Sequence, residues 1–273
     1  MSQSPYDFGF GIDWTDACVY RREGYSTSVT DYHKHDFFEI NLILSGNVKV
    51  LLADRAEELC ESCVILTGPH TPHYIACRPD RLYSRLYLLF TEEFLADTLP
   101  EWKQLTSVFG KSGTILLPTA KELDSIRLLI EWIEVCEKPL EKRLLICYLL
   151  SRLGRLSAHD SENRKSAPTY VINALAYLEK HFHEHIVAGE LARYLHVGRT
   201  ALMTEFKRHT DSTVGEYLTN CRLRHAIIHL CDGKTVEETA ALCGFSDSGG
   251  LIRAFRRCYG TTPKQYLLEK RGH

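Results

Sequence analysis

The last third of the chain contains one pattern twice. Glu190-Leu191-Ala192 returns as Glu238-Thr239-Ala240, an offset of 48 residues. Beyond a turn the offset becomes 49: Leu202 matches Leu251, Phe206-Lys207-Arg208 matches Phe255-Arg256-Arg257, and Tyr217-Leu218 matches Tyr266-Leu267. A one-residue gap confined to the turn keeps the helical faces in phase on either side, as two copies of one supersecondary unit require. Each copy reads as a helix-turn-helix. Such a chain must place two short second helices in corresponding positions, and two helices of this kind can be offered to one face of a duplex.

With 273 residues there is room for two domains, each with its own core. The 44% apolar and 25% charged composition is ordinary for a globular chain. No apolar run reaches the roughly 18 to 20 residues of a membrane helix. The opening Met1-Ser2-Gln3-Ser4-Pro5-Tyr6-Asp7 has no basic stretch followed by an apolar core, so a cytoplasmic, membrane-free protein is expected. The ten cysteines are scattered through core-like runs such as Leu145-Ile146-Cys147-Tyr148 and read as free thiols. Cys60 and Cys63 have CxxC spacing, but no second pair of ligands follows nearby, so no metal or redox role is assigned to them. Residues 167–273 carry 14 Lys+Arg and 11 Asp+Glu, whereas residues 1–166 carry 19 and 24. A mildly basic module beside an acidic one is compatible with nucleic-acid binding without establishing it.

The first half is strand-like. Phe38-Glu39-Ile40-Asn41-Leu42-Ile43-Leu44 runs into Ser45-Gly46-Asn47, and Val48-Lys49-Val50-Leu51-Leu52 follows. Cys63-Val64-Ile65-Leu66 precedes Gly68-Pro69, and residues 81–90 alternate before running apolar. Short strands punctuated by Gly, Pro and Asn predict a small antiparallel barrel or sandwich. From residue 119 the period turns helical, with one stripe at Leu123, Ile126, Leu129, Ile130 and Ile133. Glu137-Lys138-Pro139 interrupts it, and a second stripe runs through Leu145, Leu149, Leu153 and Leu156. This hairpin covers the barrel or meets a partner subunit. Residues 157–168 are polar and aperiodic, an interdomain linker. The remainder is helical throughout.

In the first unit residues 187–194 form a helix, His196-Val197-Gly198 the turn and residues 199–208 the second helix. In the second, Thr235 and Glu238 are placed as a capping box, and Cys243-Gly244-Phe245 makes the turn. Ser246 or Asp247 then caps a helix ending near Cys258, before Tyr259-Gly260 and Pro263. Residues 217–228 form the long helix joining the units. His181-Phe182-His183-Glu184-His185 has metal-like composition, but side chains two apart on a helix do not face each other, so it reads as a polar helix end.

Gly244-Phe245-Ser246-Asp247, Arg253-Ala254-Phe255-Arg256-Arg257 and Tyr259-Gly260-Thr261-Thr262-Pro263 with Tyr266 resemble the signature of AraC/XylS-family transcription regulators across about residues 170–270. The resemblance implies that both second helices enter successive major grooves. Exposed residues near their N-termini then read bases: Arg199, Thr200, Ala201 and Thr204 in the first unit, and Ser248, Gly249 and Arg253 in the second. Lys207, Arg208, Arg256 and Arg257 are placed to contact phosphate, the alternative being that they solvate helix ends. Three departures stand out. Thr204 replaces an arginine common in relatives, Asp211 stands where a glycine usually closes the helix and so leaves that end less well terminated, and Gly249-Gly250 lie inside the second recognition helix. Each of those glycines costs about 1 kcal/mol relative to alanine, so that helix is expected to fray in free protein and order on DNA.

His33-Lys34-His35-Asp36-Phe37-Phe38-Glu39 followed by Gly46 resembles the first cupin motif, and Gly68-Pro69-His70-Thr71-Pro72-His73 a shortened second one. His33, His35, Glu39 and His73 could hold a transition metal, as in cupin enzymes. In AraC-type regulators the same barrel is a sensor whose look-alike histidines persist without metal, so these four are assigned to an effector pocket, with no cofactor.

The resulting expectation is an α+β multidomain chain. Residues 1–118 form a cupin-like effector-sensing barrel and 119–158 a helical dimerisation hairpin. Residues 159–168 are the linker, and 169–273 form an all-α DNA-binding domain with units at about 187–208 and 235–258. The expected function is sequence-specific, ligand-responsive transcription activation without catalysis. Its expected partners are a DNA operator, a small effector such as a sugar, RNA polymerase and a second copy of the chain. The alternatives are a metal-dependent cupin enzyme fused to a DNA-binding module, and a constitutive regulator whose barrel is only structural.

Overall fold

The computed structural model describes residues 17–25, 32–52, 55–59, 62–77, 82–96, 100–156 and 167–271. The opening heptapeptide, Cys60 of the CxxC pair and most of the expected linker lie outside these residues. The chain divides into two compact units, described separately below.

Among the described residues the first unit has eight strands: β1 Cys18–Tyr25, β2 Phe38–Ser45, β3 Val48–Leu51, β4 Ala56–Leu59, β5 Cys63–Thr67, β6 Tyr74–Cys77, β7 Leu82–Phe90 and β8 Thr114–Leu116. They form a five-stranded sheet in the order β1-β7-β2-β5-β8 and a three-stranded sheet in the order β4-β3-β6, with every pairing antiparallel. Between β7 and β8 lie α1 Glu92–Ala96, α2 Trp102–Leu105 and a 3-10 turn. The helices α3 Ala120–Val135 and α4 Pro139–Leu153 follow.

Strand β2 is buried on both faces, which is why its sequence is nearly continuously apolar. Phe38, Ile40 and Leu42 join a core that includes Ile126, Ile130 and Ile133 of α3 and Ile146, Leu149 and Leu153 of α4. Ile43 points the other way, into a cluster shared with Cys63 and Ile65 of β5, Val48 and Val50 of β3 and Ile75 of β6. Period-two alternation places Glu39 and Asn41 on that same inner face. The turn after β2 requires its glycine: Gly46 has φ 96°, and a Cβ there would stand 2.7 Å from the Tyr83 Cβ.

The hairpin helices have distinct starts. Thr119 and Glu122 form a reciprocal capping box before α3, and Pro139 opens α4, where its missing N–H leaves no bond unmade. Their buried stripes pack on the outer face of the large sheet. A second apolar row stays exposed, with Leu128, Trp132 and Val135 on α3 and Leu140, Leu144 and Tyr148 on α4.

The second unit is helical: α5 Thr169–His181, α6 Ala188–Tyr194, α7 Arg199–Thr210, α8 Val214–Cys231, α9 Val236–Leu242, α10 Ser248–Tyr259 and α11 Pro263–Arg271. Helix α8 starts three residues before the sequence expectation, at a capping box made by Thr213 and Glu216. Its buried residues run from Val214 to Leu230 and serve as the spine of the unit. Arg224 on α8 and the Tyr217 hydroxyl both reach the Glu179 carboxylate, tying α8 to α5.

Candidate functional site

The two helix-turn-helix units are α6–α7 and α9–α10. Leu202 and Phe206 of α7, like Leu251 and Phe255 of α10, are fully buried and anchor each second helix. The opposite faces are largely exposed. Arg199, Thr200, Ala201 and Thr204 are exposed on α7, as are Lys207 and Arg208 near its end. On α10 Arg253, Arg256 and Arg257 are exposed, whereas Ser248 and Gly249 are half-buried. Thr200 and Thr204 correspond at the 49-residue offset to Gly249 and Arg253, so each unit presents its expected base-facing residues on one face. Arg208 is already engaged, its guanidinium 2.5 Å from Glu205.

Both turns share one geometry. The Val197 N–H donates to the Ala192 carbonyl, and at the equivalent position the Phe245 N–H donates to the Ala240 carbonyl. The expectation that Asp211 leaves α7 poorly terminated needs correction: Asp211 takes the left-handed conformation at φ 56°, and its N–H donates to the Lys207 carbonyl at 2.9 Å. Gly260 closes α10 in the same way at φ 71°. Helix α10 is formed across Gly249 and Gly250, because Asp247 caps it: its carboxylate accepts the Gly250 N–H at 2.6 Å. That bond holds the Asp247 carboxyl below its ordinary value. The Arg253 guanidinium folds back over the first turn, and a Cβ at position 249 would stand 3.0 Å from its Nη1.

The segment from His181 to His185 has a structural task. Phe182 packs against the second unit's core and stacks on His225 at 3.8 Å with rings 5° from parallel. Arg222 donates to the carbonyls of Phe182 and Glu184, both at 2.7 Å. Burial, and then the positive charges of Arg224, His229 and His183, push the pKa of His225 down to about 4.

In the first unit, His33, His35, Glu39 and His73 come together. An antiparallel bridge pairs His33 with His73, with backbone bonds of 2.9 and 2.8 Å, and residues directly opposite in such a pair project to one side. The Nε2 atoms of His35 and His73 each lie 3.1 Å from Oε2 of Glu39. Burial alone would raise the Glu39 carboxyl, but hydrogen bonds from His35 and His73 and their charge hold it well below the usual carboxylate range. It is therefore an anion in a site where it is 3% exposed.

Asn41 was missed by the sequence reading. It is fully buried, two residues along the inner face from Glu39, and among the described residues its amide has no hydrogen-bond partner. Its signal was a polar residue alternating with Glu39 inside an apolar strand. Cys63 lies buried in the interior cluster. A separate surface groove of about 560 Å³, lined by Leu105, Val108, Leu150, Leu156 and neighbours, contains none of these side chains.

A family model described as an AraC-like ligand binding domain matches residues 17–150, and one described as a helix-turn-helix domain matches residues 191–269. The chain belongs to the AraC family of transcription regulators. The raffinose operon transcriptional regulatory protein RafR of Pediococcus pentosaceus is 32% identical over 45% of each chain. The probable transcriptional regulator LumQ of Photobacterium leiognathi is 24% identical over 86% of this chain and 91% of its own. The activator RhaS of Enterobacter sp. is 25% identical over 85% and 86%. Among solved structures, ToxT of Vibrio cholerae aligns at 12% identity and a TM-score of 0.42, covering 93% of this chain and 98% of that one. Among the described residues no helix is long and apolar enough to cross a membrane.

Proposed function

We propose that this AraC-family regulator is a cytoplasmic activator that binds a double-stranded operator as a homodimer and answers to a small ligand in its barrel. The observation that carries the reading is the pair of second helices, each anchored by a buried Leu and Phe and each baring an equivalent outer face. Base readout falls to Arg199, Thr200, Ala201 and Thr204 on α7 and to Ser248, Gly249 and Arg253 on α10. Lys207, Arg208, Arg256 and Arg257 neutralise phosphates, which sets affinity rather than sequence. With Thr204 in place of a long cation, Arg253 is the main reader of base edges.

The boundaries we assign are a sensor at 1–118, a dimerisation hairpin at 119–158, a linker at 159–168 and a DNA-binding domain at 169–273. The exposed row on α3 and α4 supports the dimer: Trp132 is 58% and Val135 75% exposed, a costly display on a lone chain. His33, His35, Glu39 and His73 line the effector pocket, and the buried Asn41 amide supports a polar ligand there. A relative described as a raffinose-operon regulator favours a sugar. Activation proceeds through RNA polymerase, and no catalytic role is assigned.

Selection of genomic DNA fragments by the full-length protein, with and without small-molecule cell extract, tests this. The expected result is an enriched site whose affinity falls steeply with salt. Arg253→Ala then loses about 1–3 kcal/mol of discrimination at one base pair. Failure to enrich any fragment under either condition overturns the reading.

A further inference from the structure

The first turn of α10 carries a group of residues that α7 lacks altogether. At the 49-residue offset Asp247, Gly249 and Arg253 stand where the first unit has Gly198, Thr200 and Thr204. The carboxylate, the glycine and the arginine are thus present together in one unit and absent together in the other. Long helical side chains lean towards the helix N-terminus, which brings the Arg253 guanidinium over the first turn. Neither a positive φ nor core packing calls for glycine there. A Cβ at position 249 would meet Nη1 of Arg253 at 3.0 Å, Oδ1 of Asp247 at 3.1 Å and Cζ of Arg253 at 3.9 Å. One at position 250 would stand 3.9 Å from Nη2 of Arg253. The glycine pair therefore leaves a trough in which the guanidinium lies. A helix N-terminus also carries partial positive charge, which repels a cation placed over it. Asp247 offsets that repulsion. Its Oδ1 accepts the Gly250 N–H at 2.6 Å and lies 3.9 Å from Nη2 of Arg253, while Oδ2 accepts the Ser246 hydroxyl at 3.4 Å.

We propose that Asp247 and Gly249 are positioning residues that hold Arg253 ready to read one guanine, through its N7 and O6 acceptors, in the major groove entered by α10. This rests on the reading of Arg253 as a base contact and adds what aims it. The Arg253 and Asp247 side chains are 75% and 60% exposed, and an ion pair so open to water contributes little to stability. Its effect is on direction. A flexible arginine loses rotamer freedom when it docks on a base, and one already lying in a trough loses less, so more of the contact appears as discrimination. The glycines cost helix stability, and the trough is what they give in return. Helix α7, with Thr204, has neither the long cation nor the parts to hold one.

The test is selection of random duplexes by the full-length protein, with and without small-molecule cell extract. The preferred duplex and its single base-pair substitutions are then titrated. Arg253→Ala identifies the base pair that Arg253 reads, where a guanine is expected. At that pair Asp247→Asn, which retains a side chain able to cap the helix, should lower discrimination about threefold to tenfold with the unfolding midpoint little changed. Gly249→Ala, the better helix former, should lower it by as much while the midpoint stays level or rises, the opposite of what a purely structural role predicts. In the Arg253→Ala background neither substitution should have any further effect at that pair. Arg256→Ala, a phosphate contact by the same reading, should weaken every duplex alike and leave the ratio intact. Circular dichroism establishes that each variant is folded, and should Asp247→Asn lose helix, Gly249→Ala decides. Full discrimination in the folded variants overturns the proposal, and so does a loss that persists without Arg253. If Arg253→Ala leaves every base preference intact, or no sequence is enriched, the reading of Arg253 as a base contact has failed and the proposal falls with it. Arg253→Ala alone tells the two failures apart.

Discussion

At the turn of the first helix-turn-helix unit the left-handed position is His196, with φ 55°, and at the equivalent position of the second it is Gly244, with φ 74°. The contrast repeats at the end of each second helix, where Asp211 stands opposite Gly260. It extends to the helix starts. Val187 and Gly198 open α6 and α7 without a side-chain cap, whereas Thr235 with Glu238 and then Asp247 cap α9 and α10. The backbone paths match, yet the second unit is held by local chemistry and the first by its packing. Each non-glycine left-handed residue costs about 1–2 kcal/mol, so the surrounding core must impose that geometry on the first unit. One turn can thus be built in two ways, and only one of them is written in local residue choice.

The largest test of the contrast is alanine at the two turn positions. Gly244→Ala adds a Cβ that would stand 2.4 Å from the His183 carbonyl oxygen, in a conformation alanine resists. Strain and overpacking together should cost about 4 kcal/mol in denaturant unfolding. His196→Ala, at an exposed position already paying left-handed strain, should change stability by less than about 1 kcal/mol. Equal losses would break the comparison.

Acid should weaken the second unit in particular. Folded His225 stays neutral down to about pH 4, whereas an unfolded histidine takes up its proton near 6.5. Between those values the unfolded chain binds more protons, so stability falls as pH drops from 6.5 towards 4, by about 3 kcal/mol. Urea midpoints across that range, with hydrogen exchange resolved by helix, should show α9 and α10 losing protection before α6 and α7. His225→Phe, which preserves the stack on Phe182, should flatten the dependence, and an unaltered slope refutes the assignment.

The smallest effect sharpens the picture from the other side. Asp211→Gly relieves about 1–2 kcal/mol of left-handed strain while adding about 0.5–1 kcal/mol of unfolded-chain freedom. A net gain of about 0.5–1 kcal/mol in the urea midpoint is expected, and a loss would mean that Asp211 is held by more than conformation.

How much could be read beforehand follows from the range of the interactions involved. The second unit's helices were legible to within one or two residues, because Thr235, Glu238, Asp247, Gly244 and Gly260 act on backbone groups at most a few positions away. The boxes of Thr119 with Glu122 and Thr213 with Glu216 are of the same kind but went unread, and α8 accordingly starts three residues before the expected 217. Strands β2, β3, β5 and β7 announced themselves through apolar runs. Strands β1, β4, β6 and β8 did not: β4 reads Ala-Glu-Glu-Leu, β8 is three residues long, and β1 exists by pairing Cys18 with Leu89. No local pattern encodes a partner some seventy residues distant.

The same division runs through the barrel site. His33, His35 and Glu39 stand at spacings that sequence alone makes suggestive, but their chemistry depends on His73, delivered by an isolated bridge to His33. The carbonyls of Phe37 and Thr71 hold Nδ1 of His35 and of His73, which leaves the Nε2 atom of each on the Glu39 carboxylate. What the sequence determined by itself is a twice-repeated helical reader with its outward-facing cations and a strand-rich first half. Tertiary structure decided that three histidines and a carboxylate share one buried point, and that His196 and Asp211 accept the backbone of glycine. Helical hydrogen bonds and caps close within four residues, whereas a ligand cluster or an imposed φ is the work of groups that meet only once the chain has packed.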